Sequence, residues 1–483
     1  MQKDMKVNYI YNLLYQIFNM FLPLITIPYL SRILRPSGIG MASYIDSIVA
    51  YFTLFAALSF TQYGQREISY EQDNVEHRSI IFWEILIFKA VISTIVLSLY
   101  ILFVFFLVEA DEQILYWVKI LSILSVIFDV TWLFQGLEEF KKIVFRNFVV
   151  KMLWISFIFI FVKTKDDLVL YLVGQGCIDL IGALSLWSYL PKQLKTVELW
   201  KLRPFRNLKT IILLFIPAIA YQVYAVLDKT MIGIITQDVV QNGYYEQAMR
   251  IGRVSVTLLT AMGTVMMSRI GYHFQKRESE MINKLIYRSY RLVWFLGIPM
   301  CLGLMCVAPN FVPWFFGIGY EPVIPLLQIS SILILSIALS NVTGVQYLLP
   351  TKRENQYNIA VVCGAVINFL LNILLIKYYQ ALGAAIASVI AESLISVLMI
   401  WFIRNEIAPI IIIKSSVHYV LAGIVMAMVL TVENVFFAAS IINSFIMICT
   451  GMIVYFIVLA LLRDDFFFYC YKSVMHIILK KQF

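Results

Sequence analysis

Runs of twenty or more apolar residues recur from Val7 to the far end of this 483-residue chain, each long enough to cross a hydrocarbon core of about 30 Å as one helix. No stretch between them could build a soluble domain. Hydrophobic residues make up 61% of the chain and charged residues 14%, whereas a soluble domain carries about 25% charged residues. The runs are long, closely spaced and rich in Leu, Ile and Phe, while barrel strands would alternate in segments of about ten residues. The fold class is therefore all-α: a polytopic membrane protein with about fourteen transmembrane helices.

These spans are expected to start near Asn8, Gly38, Ser79, Gln113, Ile143, Leu168, Leu208, Gly243, Lys284, Pro322, Asn355, Ala381, Val417 and Phe437. The longest polar connection, PKQLKTVELWKLRPFRNLK at 191–209, reads as a linker between two lobes. It gives an N-terminal lobe of six helices at 1–195 and a C-terminal lobe of six at 196–405, with helices 13 and 14 and a basic tail at 406–483. With the amino terminus inside, the cytoplasmic side receives about 25 Lys and Arg and the outer side about five, namely Arg32, Arg35, Lys163, Lys165 and Lys377. That asymmetry supports two cytoplasmic termini and accounts for the net charge of +9. No nucleic-acid partner is needed to explain it.

Lys3 and Lys6 precede the first apolar run as in a signal peptide, but the run is too long and Asn12, Asn19 and Pro23 interrupt it. Five of the six cysteines fall inside apolar segments, and Cys301 and Cys306 are too far apart for a CxxC pair. Buried inert thiols are expected.

The polar residues within the spans are the candidates for function. Asn8, Asn12, Tyr15 and Asn19 recur at steps of four, three and four, so they share one stripe of the first helix. Such a stripe serves either hydrogen bonding between helices or the wall of a cavity, with Pro23 and Pro28 softening the helix beyond it. Glu246, Arg250 and Arg253 share a face of the eighth span. They either snorkel near its end or present guanidinium forks to an anion such as a phosphate. Asp46, Glu84, Lys89, Asp129, Arg146, Lys151, Asp179, Asp228, Lys229 and Glu392 are further charges within spans. Some must neutralise one another; Lys89 joins Arg32 as a weaker anion-site candidate, while Asp46, Asp129, Asp228 and Glu246 are candidates for coupling or gating. GAAIASVIAE spaces Gly383, Ala387 and Ala391 by four, a pattern for close helix packing. RPSGIGMASYIDSIVAYF, after the first span, is weakly repeated as QNGYYEQAMRIGRVSVTLL after the seventh, and repeated lobes are usual in secondary transporters.

A membrane-embedded glycosyltransferase, polymerase or ligase is the rival class, but such an enzyme would usually show a large outer loop or a cytoplasmic catalytic domain. The four histidines are scattered, and neither HExxH nor GxSxG occurs. No cofactor or metal is expected.

Three segments carry a resemblance to a known family: PLITIPYLSRILRPSGIGMASYIDS, LDKTMIGIITQDVVQNGYYEQAMRI and INFLLNILLIKYYQALGAAIASVIAE. Together they resemble the polysaccharide transporters, or O-antigen flippases, of the multidrug/oligosaccharidyl-lipid/polysaccharide exporter superfamily. The family usually has Gly where Arg35 stands, and a Pro and a Gly near Tyr378 and Gln380. The resemblance implies twelve helices in two V-shaped lobes plus two more, around a cavity that opens alternately to each side of a bacterial cytoplasmic membrane. It implies as substrate an undecaprenyl-pyrophosphate-linked oligosaccharide, the repeat unit of an O-antigen, capsule or exopolysaccharide. Membrane lipid, a polysaccharide polymerase and other assembly proteins are the implied partners. Arg32 and Asp228 stand at characteristic family positions. A flippase for a peptidoglycan or teichoic-acid precursor and a multidrug or cation antiporter are the alternatives.

Overall fold

The computed structural model describes the backbone of residues 2–198, 200 and 202–480; side chains are described within 22–472, apart from 199, 201, 216–218, 220, 221, 223–225 and 264. Asn12 and Asn19, with the rest of their stripe, lie outside the described side chains. Helices and the turns between them account for the described chain, with no strand among the described residues. The chain divides into two compact units, Met1–Thr230 and Met231–Phe483.

Unit 1 contains α1 (Gln2–Ala57), α2 (Phe60–Tyr70), α3 (Val75–Leu107), α4 (Gln113–Trp117), α5 (Ile120–Phe128), α6 (Thr131–Gly136), α7 (Phe140–Phe161), α8 (Leu168–Ser185) and most of α9 (Leu208–Thr236). Unit 2 contains the end of α9, then α10 (Val239–Thr260), α11 (Gly263–Gln275), α12 (Ser279–Phe316), α13 (Val323–Ser330), α14 (Ile332–Asn341), a π-helical turn at Val342–Leu348, α15 (Glu354–Phe402), α16 (Pro409–Lys414), α17 (Val417–Phe436), α18 (Ile441–Leu461) and α19 (Asp465–Lys480). Eleven stretches among the described residues are long and apolar enough to cross a membrane. Two of them, Leu22–Tyr70 and Glu354–Phe402, have 49 residues each, enough for two crossings at about 1.5 Å per residue.

Each of those long stretches contains a break inside its long helix, through a residue with positive φ, and Leu22–Tyr70 turns a second time at Leu58 and Ser59, between α1 and α2. Arg35 sits at φ 57°, ψ 175° inside α1, and Gln380 at φ 52°, ψ −131° inside α15. The break at Gln380 folds α15 back on itself. A Cβ on Gly383 would come within 2.3 Å of the Leu375 carbonyl oxygen, and one on Gly364 within 2.3 Å of the Ile395 side chain. Gly383, Ala384, Ala387 and Ala391 are accordingly buried, so the small-residue pattern does serve close packing. The weak repeat has a physical counterpart as well, because Gln237, shortly before its second copy, is at φ 53°.

The connection at 191–209 does not hang free. Arg78, buried near the start of α3, donates from Nε and Nη2 to the Gln193 carbonyl at 3.2 and 2.6 Å. The Lys195 amide donates to Ser79 Oγ at 2.9 Å. Glu84 accepts from the Arg203 amide at 2.8 Å and pairs with Arg206 at 3.4 Å. Glu84 thus anchors the connection. In unit 2, Asp464 plays a similar part ahead of α19: it is 3% exposed and meets Arg291, His418 and Tyr419 at 3.4, 3.2 and 3.2 Å while accepting from the Phe467 amide at 2.9 Å.

Substituting glycine at the two breaks should stabilise the protein. A side chain in these backbone regions costs about 1 to 3 kcal/mol, of which glycine's extra unfolded-chain entropy returns about 0.5 to 1. Arg35→Gly and Gln380→Gly should each raise the thermal midpoint in detergent, by a stabilisation of about 1 kcal/mol. Unchanged or lowered midpoints for both would show that neither backbone is strained.

Candidate functional site

The most charged interior lies in unit 1, where a span is built from short pieces. Between Gln113 and Gly136 the helix stops twice, and Asp129 at the second stop is extended (ψ 112°). A stop within the membrane frees carbonyl groups that must find donors in the protein. Lys89, only 2% exposed, donates from Nζ to the Asp129 carbonyl at 2.7 Å, and Trp187 Nε1 donates to the Phe128 carbonyl at 2.8 Å. The Asp129 carboxylate accepts from the Thr131 amide at 3.0 Å, starting α6, and from the Thr131 hydroxyl. Arg146 of α7 donates to Thr131 Oγ1 at 2.9 Å and to the Gly182 carbonyl at 3.2 Å.

Lys89, Asp129, Thr131, Arg146 and Asp179 line one cavity of about 280 Å³. Two bases and two acids thus share its wall. Beside it Lys119, with a fully buried side chain, pairs with Asp46 at 2.5 Å and donates to Gln175 Oε1 at 2.9 Å, with Asp179 in electrostatic range. Taking charges out of water costs several kcal/mol per ion unless they are paired and hydrogen-bonded; Lys119 with Asp46 meets that condition, and Lys89, Asp129 and Arg146 are held by hydrogen bonds within α3, α7, α8 and the broken span.

In unit 2 the charged candidates Glu246, Arg250 and Arg253 lie on α10, which packs against α13, α14 and α15. Glu246, 4% exposed, accepts from Arg250 Nε at 2.6 Å. Arg250 is half-buried and Arg253 is exposed. Asn242 is fully buried, and neither of its side-chain amide atoms has a hydrogen-bond partner among the described residues. On α15 Asn372 donates to Asn368 Oδ1 at 3.2 Å, and both are buried.

The sequence-derived candidates therefore fall into separate groups. Lys89 and Asp129 meet at one cavity, Asp46 is held by Lys119, and Glu246 is held against Arg250. Arg32 is exposed on α1, and Asp228, half-buried on α9, is in electrostatic range of Tyr51. The Tyr51 hydroxyl lies 3.2 Å from Thr230 Oγ1, which in turn donates to Ser47 at 3.0 Å. Sequence reasoning passed over Lys119, although a lysine seven residues into an apolar span was a visible signal. It also passed over Asn368 and Asn372, four residues apart in INFLLN.

Residues 5–270 match the family model described as polysaccharide biosynthesis protein. The chain belongs to this polysaccharide biosynthesis family. Two curated relatives, each named putative O-antigen transporter, are 25% identical to it: one from Escherichia coli (strain K12) over 83% of this chain and 97% of the relative, the other from Shigella dysenteriae over 79% and 96%. Among solved structures, the fold is similar to that of the lipid II flippase MurJ in its inward closed conformation, with a TM-score of 0.77 at 16% identity over 95% of this chain and 99% of that one. An inward-facing multidrug resistance MATE family transporter of the MOP superfamily matches with a TM-score of 0.58 at 13% identity, over 82% of this chain and 99% of that one. The resemblance drawn from the three sequence segments holds, and this member of the family is a multi-pass membrane transporter with a flippase-like fold.

The buried pair in unit 1 can be tested by breaking and then removing it. Lys119→Ala leaves Asp46 and Gln175 without their cation, and it should destabilise unit 1 by about 2 kcal/mol, discounted because Asp46 is partly exposed. Lys119→Met combined with Asp46→Asn should recover most of the folded protein, measured as monodisperse material after extraction. If the double variant is no better than Lys119→Ala, the two side chains are not coupled.

Proposed function

We propose that this transporter moves an undecaprenyl-pyrophosphate-linked oligosaccharide, the repeat unit of an O-antigen, capsule or exopolysaccharide, from the cytoplasmic to the outer leaflet of a bacterial cytoplasmic membrane by alternating access. The observation that carries this reading is the family match together with relatives named putative O-antigen transporter that align over nearly their whole length. The chemistry of the chain agrees with it. Such a substrate joins a diphosphate, a hydrated glycan and a long apolar tail, so it needs cations, hydroxyl-binding amides and access from lipid at once. Arg250, Arg253 and Arg32 supply exposed or half-exposed guanidinium groups, with Lys89 as a buried base. Asn12 and Asn19 are assigned to sugar hydroxyls. Asp46, Asp129, Asp228 and Glu246 are assigned to coupling or gating. Both termini are placed in the cytoplasm by the excess of Lys and Arg on that side, where the chain can meet a polymerase and other assembly proteins.

Transport of a peptidoglycan precursor is a second reading, favoured by the similarity to the MurJ fold. Deleting the gene and identifying by mass spectrometry the lipid-linked intermediate that accumulates separates the two. An oligosaccharide repeat unit on a polyprenyl diphosphate supports the first; accumulated lipid II overturns it.

Arg250 gives a sharper test. Its alanine variant would leave Glu246 buried without its cation, so Arg250→Ala is best combined with Glu246→Gln. That double variant should reach near-normal membrane levels and, measured against Glu246→Gln alone, lose about tenfold in flipping rate in liposomes, the effect of one charge-assisted hydrogen bond. Arg250→Lys should keep part of the rate, since the point charge survives and the fork does not. Full activity in the double variant would remove Arg250 from the binding surface.

A further inference from the structure

A second cavity of unit 1, of about 300 Å³, is lined mainly by uncharged amides. Gln62, Gln65, Arg66 and Ser69 project from one face of α2 while Phe60, Tyr63, Gly64 and Ile68 on the other face are buried. Gln72, past the end of α2, and Gln135 with Phe140, from the end of α6 and the start of α7, complete the wall. The wall is fixed in place: Gln72 Nε2 donates to the Gly136 carbonyl at 2.7 Å, and a Cβ on Gly136 would come within 2.8 Å of the Gln65 carbonyl oxygen, so α2 and α6 approach closely there. Glu138, at φ 58°, turns the chain at the rim.

Charge at this cavity is already compensated. Arg66 grips Glu67 through Nε at 3.1 Å and Nη2 at 2.8 Å, and Glu138 adds a negative group, so the site has no surplus positive charge for a phosphate. What it has in surplus is amide. Gln135 Oε1 is buried and has no hydrogen-bond partner among the described residues, and a buried acceptor left without a donor is costly. Each amide presents a donor and an acceptor side by side, which suits adjacent hydroxyls on a sugar ring, and the Phe140 ring offers an apolar surface to the ring's C–H face. The volume is at the lower end of the range for small-ligand sites, about 300 to 1,000 Å³. It suits one or two sugar rings better than a whole oligosaccharide.

We propose that this glutamine-lined pocket between the ends of α2 and α6 binds a neutral hexose, and that it receives a sugar of the transported glycan apart from the residues that meet the diphosphate. The second half of that statement rests on the flippase reading above, and with cytoplasmic termini it puts the pocket at the loading end of the unit. The first half can be tested without that reading. Saturation-transfer NMR on the full chain in detergent, with glucose, galactose, rhamnose and N-acetylglucosamine as probes, should show transfer to at least one sugar that inorganic pyrophosphate does not displace. Gln65→Glu with Gln135→Glu, which keeps shape and removes two amide donors, should lower that signal about tenfold; Gln62→Ala serves as a second variant if the first elutes as aggregate. No transfer from the wild-type protein to any of the four sugars, or transfer that survives both variants, overturns the proposal. Sugar binding lost in these variants, in a protein whose deletion accumulates no lipid-linked glycan, would keep the pocket and sink the flippase reading.

Discussion

Inside a hydrocarbon core every backbone group needs a partner from the protein itself, because there is no water to supply one. Uninterrupted helices meet that demand locally. Where α5 stops at Asp129 and where α14 ends, a specific side chain or an irregular turn takes over. The break at Asp129 is held by the Lys89 ammonium and Trp187 Nε1. After α14, the π-helical turn continues the ladder through the Leu349 amide and the Gly344 carbonyl at 3.0 Å, with the Tyr290 and Thr343 hydroxyls 2.6 Å apart beside it.

The charges of unit 1 follow from that constraint. A lysine in this setting is costly by about 2.5 to 3.5 kcal/mol on insertion scales, yet Lys89 and Lys119 are among its most buried side chains. They persist because each is matched, Lys89 to a released carbonyl near a carboxylate and Lys119 to Asp46 and Gln175.

Unit 2 is less charged within and owes more to shape. The two arms of α15 are drawn together by glycine and alanine at their contact. Asp464 ties α12, α17 and the start of α19 to one carboxylate. There the tail helix begins.

Apolar run length determined the fold class by itself, because a helix that must cross about 30 Å of hydrocarbon has few alternatives. Four-residue spacing of Gly and Ala likewise fixed the close packing in α15, and steps of three and four put Glu246 beside Arg250. These are local properties, readable along one helix. Sequence could not say that Glu84 would hold the connection at 191–209, that Lys119 would choose Asp46, or that glutamines from the ends of α2 and α6 would line one cavity. Each of those depends on which helices become neighbours, and in a chain with many similar apolar spans that choice is made by side-chain packing across the whole unit. A buried charge announces in sequence that it needs a partner; only the tertiary structure decides which one it gets.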